Sequence, residues 1–357
     1  MSRKEPKSNV VAQSVNLNSG WAASGPSTML RAVPSPVEGR LGERQSACVV
    51  QSQAMAERTG GVSVIINERS GTAARPDAGA EVQALFARAG AQTRLERVRE
   101  PGDIAARARQ AASRGDVLVA AGGDGTVSTV AGVAVETNAT FGVLPMGTLN
   151  HFAKDVGLPL DLEGAVSVIV AGHVRPLDVG EVNGRIFVNN SSVGLYPRMV
   201  LERKAEQRRG RGKWTAFALA MVRTWQDYRM VVARLGADGQ EVIVRTPFVF
   251  VGNNQYQMEG FQLGGRSRLD EGRLSIFAAP DAGRFEILAL PVRALTNHLS
   301  SAAPFLAFQT DRVAVDVFRH RVSVALDGEV GVMQGPLEYR IRPRALRAIV
   351  AASPGTP

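Results

Sequence analysis

The run Val117-Leu-Val-Ala-Ala-Gly-Gly-Asp-Gly-Thr126 constrains this chain more than any other segment. Five apolar residues read as a strand buried on both faces, and the glycine cluster after them ends it abruptly. Glycines at 122, 123 and 125 permit backbone approaches that a Cβ would block. Amide groups opening the helix that follows offer positive partial charge to phosphate oxygens. Asp124 stands where a carboxylate meets a nucleotide-bound Mg2+, and Thr126 adds a hydroxyl. The competing reading is a glycine-rich strand-to-helix turn without a ligand.

The surrounding sequence repeats the same alternation. Val62–Ile66 is a short apolar run ending in the turn-like stretch Asn67–Gly71, and Val82, Leu85, Phe86 and Ala89 recur at helical spacing. Thr93–Val98 alternates like a strand, and a helix is expected from Asp103, as N-cap, to Arg114. Phe141–Leu144 reads as another strand, followed by a second loop, Leu144-Pro-Met-Gly-Thr-Leu-Asn-His-Phe-Ala153. Gly147 and Thr148 sit there at the same strand-end position as the first glycine cluster. In open α/β sheets ligands bind beyond the carboxyl ends of the strands, so the two loops suggest one shared phosphate crevice. His151 in that loop reads either as a ligand or base, or as a packed or capping residue.

Beyond residue 175 the pattern changes. Asn183-Gly184 between Leu177–Val182 and Arg185–Asn189 is a two-residue hairpin signal, repeated by Asp238-Gly239 between Met230–Leu235 and Glu241–Val251. Further strands are expected at Leu274–Ala278, Val313–Phe318, Val322–Leu326, Leu337–Ile341 and Ala348–Ala351, with a helix over Trp214–Tyr228. The expected fold class is α/β: a doubly wound parallel-sheet domain over 61–178, then a mainly antiparallel β domain over 179–350, with the active site in the cleft between them. Residues 1–60, rich in Ser, Pro, Ala, Gly and Gln, read as a disordered tail in which Met29 and Met55 are alternative starts; 351–357 form a second tail.

Charge narrows the partners. Of a net +9, the segment Glu202–Lys213 concentrates six basic against two acidic residues, which favours a local anionic contact over a nucleic-acid-binding surface. This segment, with Trp214–Trp225 behind it, reads either as a basic loop and core helix or as a membrane-facing element. A lone cysteine, Cys48, excludes an internal disulfide framework and suits a reducing cytoplasm, and the four histidines lack metal-ligand spacing. No apolar run approaches the roughly 20 residues of a membrane span.

Taken in order, these motifs resemble the diacylglycerol kinase catalytic family, which includes sphingosine kinases and bacterial soluble lipid kinases. Gly122-Gly-Asp-Gly-Thr126 is similar to its nucleotide loop, a pentapeptide that NAD kinases share. Asn67-Glu-Arg-Ser-Gly71 resembles its first-strand turn, Gly147–Ala153 its second loop, Phe187–Gly194 its second-domain opening, and Leu326-Asp-Gly-Glu329 its late catalytic turn. The resemblance implies ATP and Mg2+ as cofactors and a lipid alcohol as acceptor. It implies that Asn67, Gly122, Gly123, Asp124, Gly125, Thr126, Gly147 and Thr148 hold the nucleotide. Asp327 would be the base or positioner for the acceptor hydroxyl, with Glu329 beside it. Asp270-Glu271-Gly272 resembles a turn that helps bind a structural Mg2+, so the implied metal residues are Asp124, Asp270 and Glu271. Three positions depart from the pattern: Glu68 replaces a Pro, Val98 a nucleotide-contacting Thr of some members, and Ser128-Thr129 an Asn-Glu pair.

On the residues alone Asp327-Gly328 is also a plain hairpin turn, in which Asn-Gly would serve as well. The rival functions are an NAD kinase-like enzyme and a catalytically silent lipid-binding module. Partners expected with the lipid kinase are an anionic membrane surface at the inner face, touched peripherally, and a homodimer mate, with no nucleic acid. Replacing Arg208, Arg209, Arg211 and Lys213 with Gln is expected to weaken sedimentation with anionic vesicles, most visibly at low salt where screening is weakest. Unchanged vesicle binding would assign these four residues to a solvated loop.

Overall fold

The computed structural model describes residues 61–208, 230–237, 239–255, 266, 268–281 and 306–352. The expected tail over 1–60, residues 353–357 of the second tail, the helix over 214–228 and the basic residues beyond Arg208 lie outside them. The first half alternates β1 (Val62–Asn67), α1 (Ala78–Arg88), β2 (Thr93–Val98), α2 (Ile104–Ser113), β3 (Val117–Gly122), α3 (Asp124–Thr137) and β4 (Phe141–Pro145), then the short α4 (His151–Asp155) and α5 (Leu162–Ala171). Strands run parallel in the order β2-β1-β3-β4. Val62, Val64 and Ile66 of β1 pack into one core with α1 and α5, while Ile65 faces the core built by α2 and α3. Helices therefore cover both faces, which is why β1, β3 and β4 read as mainly apolar runs, while β2 at the sheet edge alternates. From β1 the chain goes to β2 on one side and then crosses to β3 on the other. That reversal opens a crevice at the carboxyl ends of β1 and β3, where all the glycine-rich turns lie.

The second half continues with β5 (Val174–Val182), β6 (Arg185–Phe187), β7 (Asn190–Gly194), α6 (Leu195–Arg208), β8 (Val231–Ala237), β9 (Gln240–Thr246) and β10 (Phe248–Asn253). It closes with β11 (Leu274–Ala278), β12 (Leu306–Thr310), β13 (Arg312–Asp316), β14 (Arg321–Leu326), β15 (Glu329–Gln334) and β16 (Leu337–Ile349). Asn183 and Gly184 both adopt positive φ, 45° and 81°, as a tight hairpin turn requires. A six-stranded antiparallel sheet, β12-β11-β10-β7-β14-β15, faces strands of the first sheet. Val182, Phe187, Leu235, Ile276, Val324 and Tyr339 fill the space between them.

Three expectations are corrected. Glu241–Val251 is two strands, because Pro247 lacks the amide that would continue the ladder, and β9 and β10 enter different sheets. Leu337–Ile341 and Ala348–Ala351 are instead one strand, β16, whose register with β5 shifts between Arg342 and Leu346 around Pro343. Its far end pairs Ala348 with Phe141, so the last strand returns to the first sheet. Asp103 occupies the N-cap position of α2 without a side-chain capping bond; a 3-10 turn over Pro101–Asp103 leads into the helix. β7, β12 and β15 lacked a pattern: β7 reads Asn-Ser-Ser-Val-Gly, and its serines are buried by tertiary packing.

At the opposite end of the parallel sheet Asp116 ties three segments together. Its carboxylate accepts from the Gly61 amide at 2.9 Å, the Ser63 hydroxyl at 2.7 Å, Arg94 at 2.9 Å and Arg114 at 3.0 Å. Burial pushes its pKa up, but the Ser63, Arg114, Gly61 and Arg94 contacts outweigh it and hold the carboxyl below the usual range. A depressed carboxylate stabilises the fold above its ordinary pKa and loses that contribution as pH falls through the lowered value. Asp116→Asn is thus expected to cost about 2–3 kcal/mol at neutral pH. In urea unfolding the gap between parent and variant should narrow below about pH 4; a gap constant down to pH 3 would contradict this account.

Candidate active site

Three loops meet at the switch point. After β1, the Asn67 side chain accepts from the Arg69 amide at 3.1 Å and donates to the Thr126 hydroxyl at 3.1 Å. Ser70 Oγ accepts the Gly123 amide at 2.9 Å, and the Thr72 amide donates to the Met146 carbonyl at 3.0 Å. Gly147 follows β4 in direct backbone contact with the glycine cluster: a Cβ there would lie 2.7 Å from Gly123 Cα and 3.2 Å from the Gly122 carbonyl. Asn150, at φ 51°, locks this loop by accepting the Gly147 amide at 2.9 Å and donating to the Gly147 and Pro145 carbonyls. Asp124 accepts the His151 amide at 3.2 Å, joining the start of α3 to the start of α4.

The expected nucleotide residues therefore divide by position. Gly122, Gly123, Gly125 and Gly147 form a floor of bare backbone, and α3 opens at Gly123 with no side chain capping it, so its first amides carry the positive end of the helix dipole. Thr148 is exposed at the rim. Asn67 and Thr126 are buried against each other and shape the loops from behind. His151 enters through its backbone amide, which donates to the Asp124 carboxylate.

The second half contributes a carboxylate. Asp327 and Gly328, at φ 46° and 82°, turn β14 into β15, so the hairpin reading of this dipeptide holds. Its side chain does more than turn. Oδ1 accepts the Asn189 and Asn190 amides at 2.7 and 3.0 Å, and Oδ2 accepts the Val188 amide at 2.9 Å. Burial pushes the Asp327 carboxyl above the usual carboxylate range, against the Ser128 hydroxyl and those three amides, which favour its charged form. Ser128 lies on α3, so this bond crosses from one half to the other. Glu329 crosses as well: a Cβ on Gly125 would lie 2.9 Å from its Cγ and 3.1 Å from its Oε1. The two carboxylates and the glycine loop thus share one site.

Sequence reasoning missed Arg266 and Asp155, a buried ion pair at 2.6 Å linking α4 to the Val188–Asn189 segment. They are 111 residues apart in no recognisable motif, and only the fold joins them. Asp178 was missed for the same reason; it accepts the Gly272 amide at 2.7 Å and the Arg344 amide at 2.8 Å.

Mg2+ that travels with phosphates takes one or two protein carboxylates, completing its shell with phosphate oxygens and water. Asp124, half-buried beside the uncapped turn, fits that demand. Asp270 is implied at a separate, structural Mg2+ site, and its Oδ1 is buried without a hydrogen-bond partner, as a cation-binding oxygen would be, although arginines stand beside it. Arg175 at 3.0 Å and Arg268 at 3.5 Å flank it, and the Arg175 hydrogen bond foremost holds its carboxyl below the usual range despite burial. Glu271 accepts the Gln255 amide at 3.2 Å. Among the described residues no three His, Cys, Asp or Glu side chains gather into a metal cluster.

Known proteins resemble this arrangement along most of its length. Residues 61–182 match the family model described as diacylglycerol kinase catalytic domain, and 197–350 match the YegS C-terminal NAD kinase beta sandwich-like domain. A diacylglycerol kinase of Bacillus subtilis is 28% identical over 275 residues, covering 76% of this chain and 90% of that protein. One from Staphylococcus haemolyticus is 30% identical over 204 residues, covering 56% of this chain and 61% of that protein. A solved Bacillus anthracis structure superposes with a TM-score of 0.67 at 22% identity, covering 83% of this chain and 97% of its own.

Gly147→Ala is expected to separate the two glycine loops and to weaken nucleotide binding at least tenfold, since backbone cannot yield to a Cβ at 2.7 Å. Asp124→Ala should cost less affinity for free nucleotide than for its Mg2+ complex. Titrating both forms against each variant checks this; equal binding of every form to parent and variants would put the nucleotide elsewhere.

Proposed function

We propose that this chain is a lipid kinase of the diacylglycerol kinase catalytic family and that it transfers the γ-phosphate of ATP to the hydroxyl of diacylglycerol, a sphingoid base or a related lipid alcohol. The observation that carries this reading is the Asp327 carboxylate, buried and held by three amides next to the glycine-rich floor. Phosphoryl transfer demands positioning and charge neutralisation more than covalent chemistry. The first amides of α3 receive phosphate oxygens at the positive end of the helix dipole, and the missing side chains of Gly123 and Gly147 let the loops that flank those amides close on one another. Mg2+, when bound with the nucleotide, would be held by Asp124 and would neutralise phosphate charge. Asp327 orients the acceptor hydroxyl and takes its proton, and a carboxyl held above its ordinary pKa is a better base near neutrality than an unperturbed one. Glu329, lying on Gly125, keeps the catalytic turn seated against the phosphate floor.

A lipid acceptor brings the protein to a membrane. No described helix is long and apolar enough to cross one. Tyr196 and Leu201, exposed on α6 as it leads into the basic segment, support a peripheral contact with an anionic surface.

Asp327→Asn tests the assignment. The amide keeps the turn, but its NH2 must face the Val188 amide in place of Oδ2, which costs about 1–3 kcal/mol. Against this stands the buried charge. A raised carboxyl pKa contributes stability below its ordinary value and loses it as pH rises through the folded value, so at neutral pH the ionised group burdens the fold. A modest net change in melting temperature is expected, with nucleotide affinity retained and lipid phosphorylation down about a hundredfold or more. In the parent, the rate should fall with acid through a pKa above the ordinary carboxylate range, and the residual rate of the variant should lack that limb. Parental turnover in folded Asp327→Asn would sink the catalytic role.

A further inference from the structure

We propose that Arg266 and Asp155 are positioning residues that set the orientation of the Asp327 carboxylate relative to the loop after β4, an inference that rests on the kinase reading. The guanidinium of Arg266 has only 1% of its side chain exposed and Asp155 only 8%. Nε and Nη2 donate to Asp155 Oδ2 at 3.1 and 2.6 Å. Nη1 donates to the Val188 carbonyl at 2.7 Å and the Asn253 carbonyl at 3.3 Å, and Nη2 to Asn189 Oδ1 at 2.9 Å.

One peptide group connects this pair to the site. The Val188 carbonyl and the Asn189 amide are opposite ends of the same planar unit. Its oxygen points at the Arg266 cation, and its N–H donates to Asp327 Oδ1 at 2.7 Å, the shortest of the three amide bonds to that carboxylate. The peptide dipole therefore lies aligned between a buried cation and a buried carboxyl. Fixing the carbonyl end fixes the donor end, because the plane does not bend. Asp155 ends α4, the helix that begins right after the Gly147–Asn150 loop, so the tether reaches from phosphate floor to acceptor carboxylate.

Stability alone does not account for the pair. A buried ion pair loses most of its attraction to desolvation, and apolar residues of similar volume commonly serve a fold as well. Here one planar fork satisfies acceptors on four residues, Asp155, Val188, Asn189 and Asn253, which is a geometric service that neither an apolar side chain nor a lysine supplies.

The test uses the full chain carrying Asp155→Asn or Arg266→Lys, with ATP, Mg2+ and a short-chain diacylglycerol in mixed micelles. Both variants should unfold cooperatively and bind nucleotide within threefold of the parent. Amide exchange at 188–190 should quicken at least tenfold, and kcat should fall at least tenfold with KM for ATP changed less than threefold. Unchanged exchange would remove the tether. Faster exchange with kcat within twofold of the parent would make it structural only, and loss of cooperative unfolding in both variants would assign the pair to folding; each overturns the proposal. A parent protein without lipid phosphorylation would sink the kinase reading instead, and exchange at 188–190 would then decide the tether by itself.

Discussion

The peptide between Val188 and Asn189 is where the two halves of the molecule are made to agree. Its carbonyl meets Arg266, which grips Asp155 of the first half, and its amide meets Asp327, so a single rigid plane passes the position of α4 to that carboxylate. Buried charges tolerate little misalignment, because a donor or acceptor left unpaired there bears its full desolvation cost. The neighbouring groups are drawn into the same constraint. Asn253 donates to the Val188 and Asp178 carbonyls at 2.9 Å, and Asp178 clamps the turn at Gly272 and the bulge at Arg344. The Asp327 carboxylate, the Asp270–Gly272 turn and the bend of β16 thus hang on one hydrogen-bonded network.

The nucleotide side is built by the opposite device, the removal of side chains. Glycines at the ends of β3 and β4 let two loops touch through backbone, and Asn67, Ser70, Thr126 and Asn150 brace them from outside the contact. Bare amides at the start of α3 then remain available to a ligand. The Ser128 hydroxyl and Glu329 bring this floor to the carboxylate. Ser128 departs from the family pattern, yet it sits where the two halves meet and reaches Asp327, so this departure falls within the site.

How far the sequence could be read depended on the range of the interaction. β2 and β3, the helical periodicity of α1 and the Asn183-Gly184 hairpin were legible because their signals are local: apolar runs, spacing and turn chemistry. β7 was not, since a strand of serine and asparagine becomes buried only when neighbours on both sides cover it. Pro247 was visible as a residue, but that it switches the chain between sheets depends on which partners wait on either side. Asp327 and the Phe187–Gly194 segment each stood out as a motif, whereas nothing in the sequence showed that amides 137 to 139 positions away would bind that carboxylate.

By itself the sequence determined the α/β alternation, the positions of the glycine turns and the resemblance to a kinase family, because strands, turns and phosphate loops impose residue types at short spacing. Tertiary structure alone decided that β16 returns to the first sheet and that Asp270 pairs with arginines. It also decided that Asp155 and Arg266 meet in the interior, and that the Asp327 carboxyl is pushed upward by burial. Desolvation and charge pairing depend on what surrounds a group in three dimensions, and here those surroundings come largely from segments far apart in the chain.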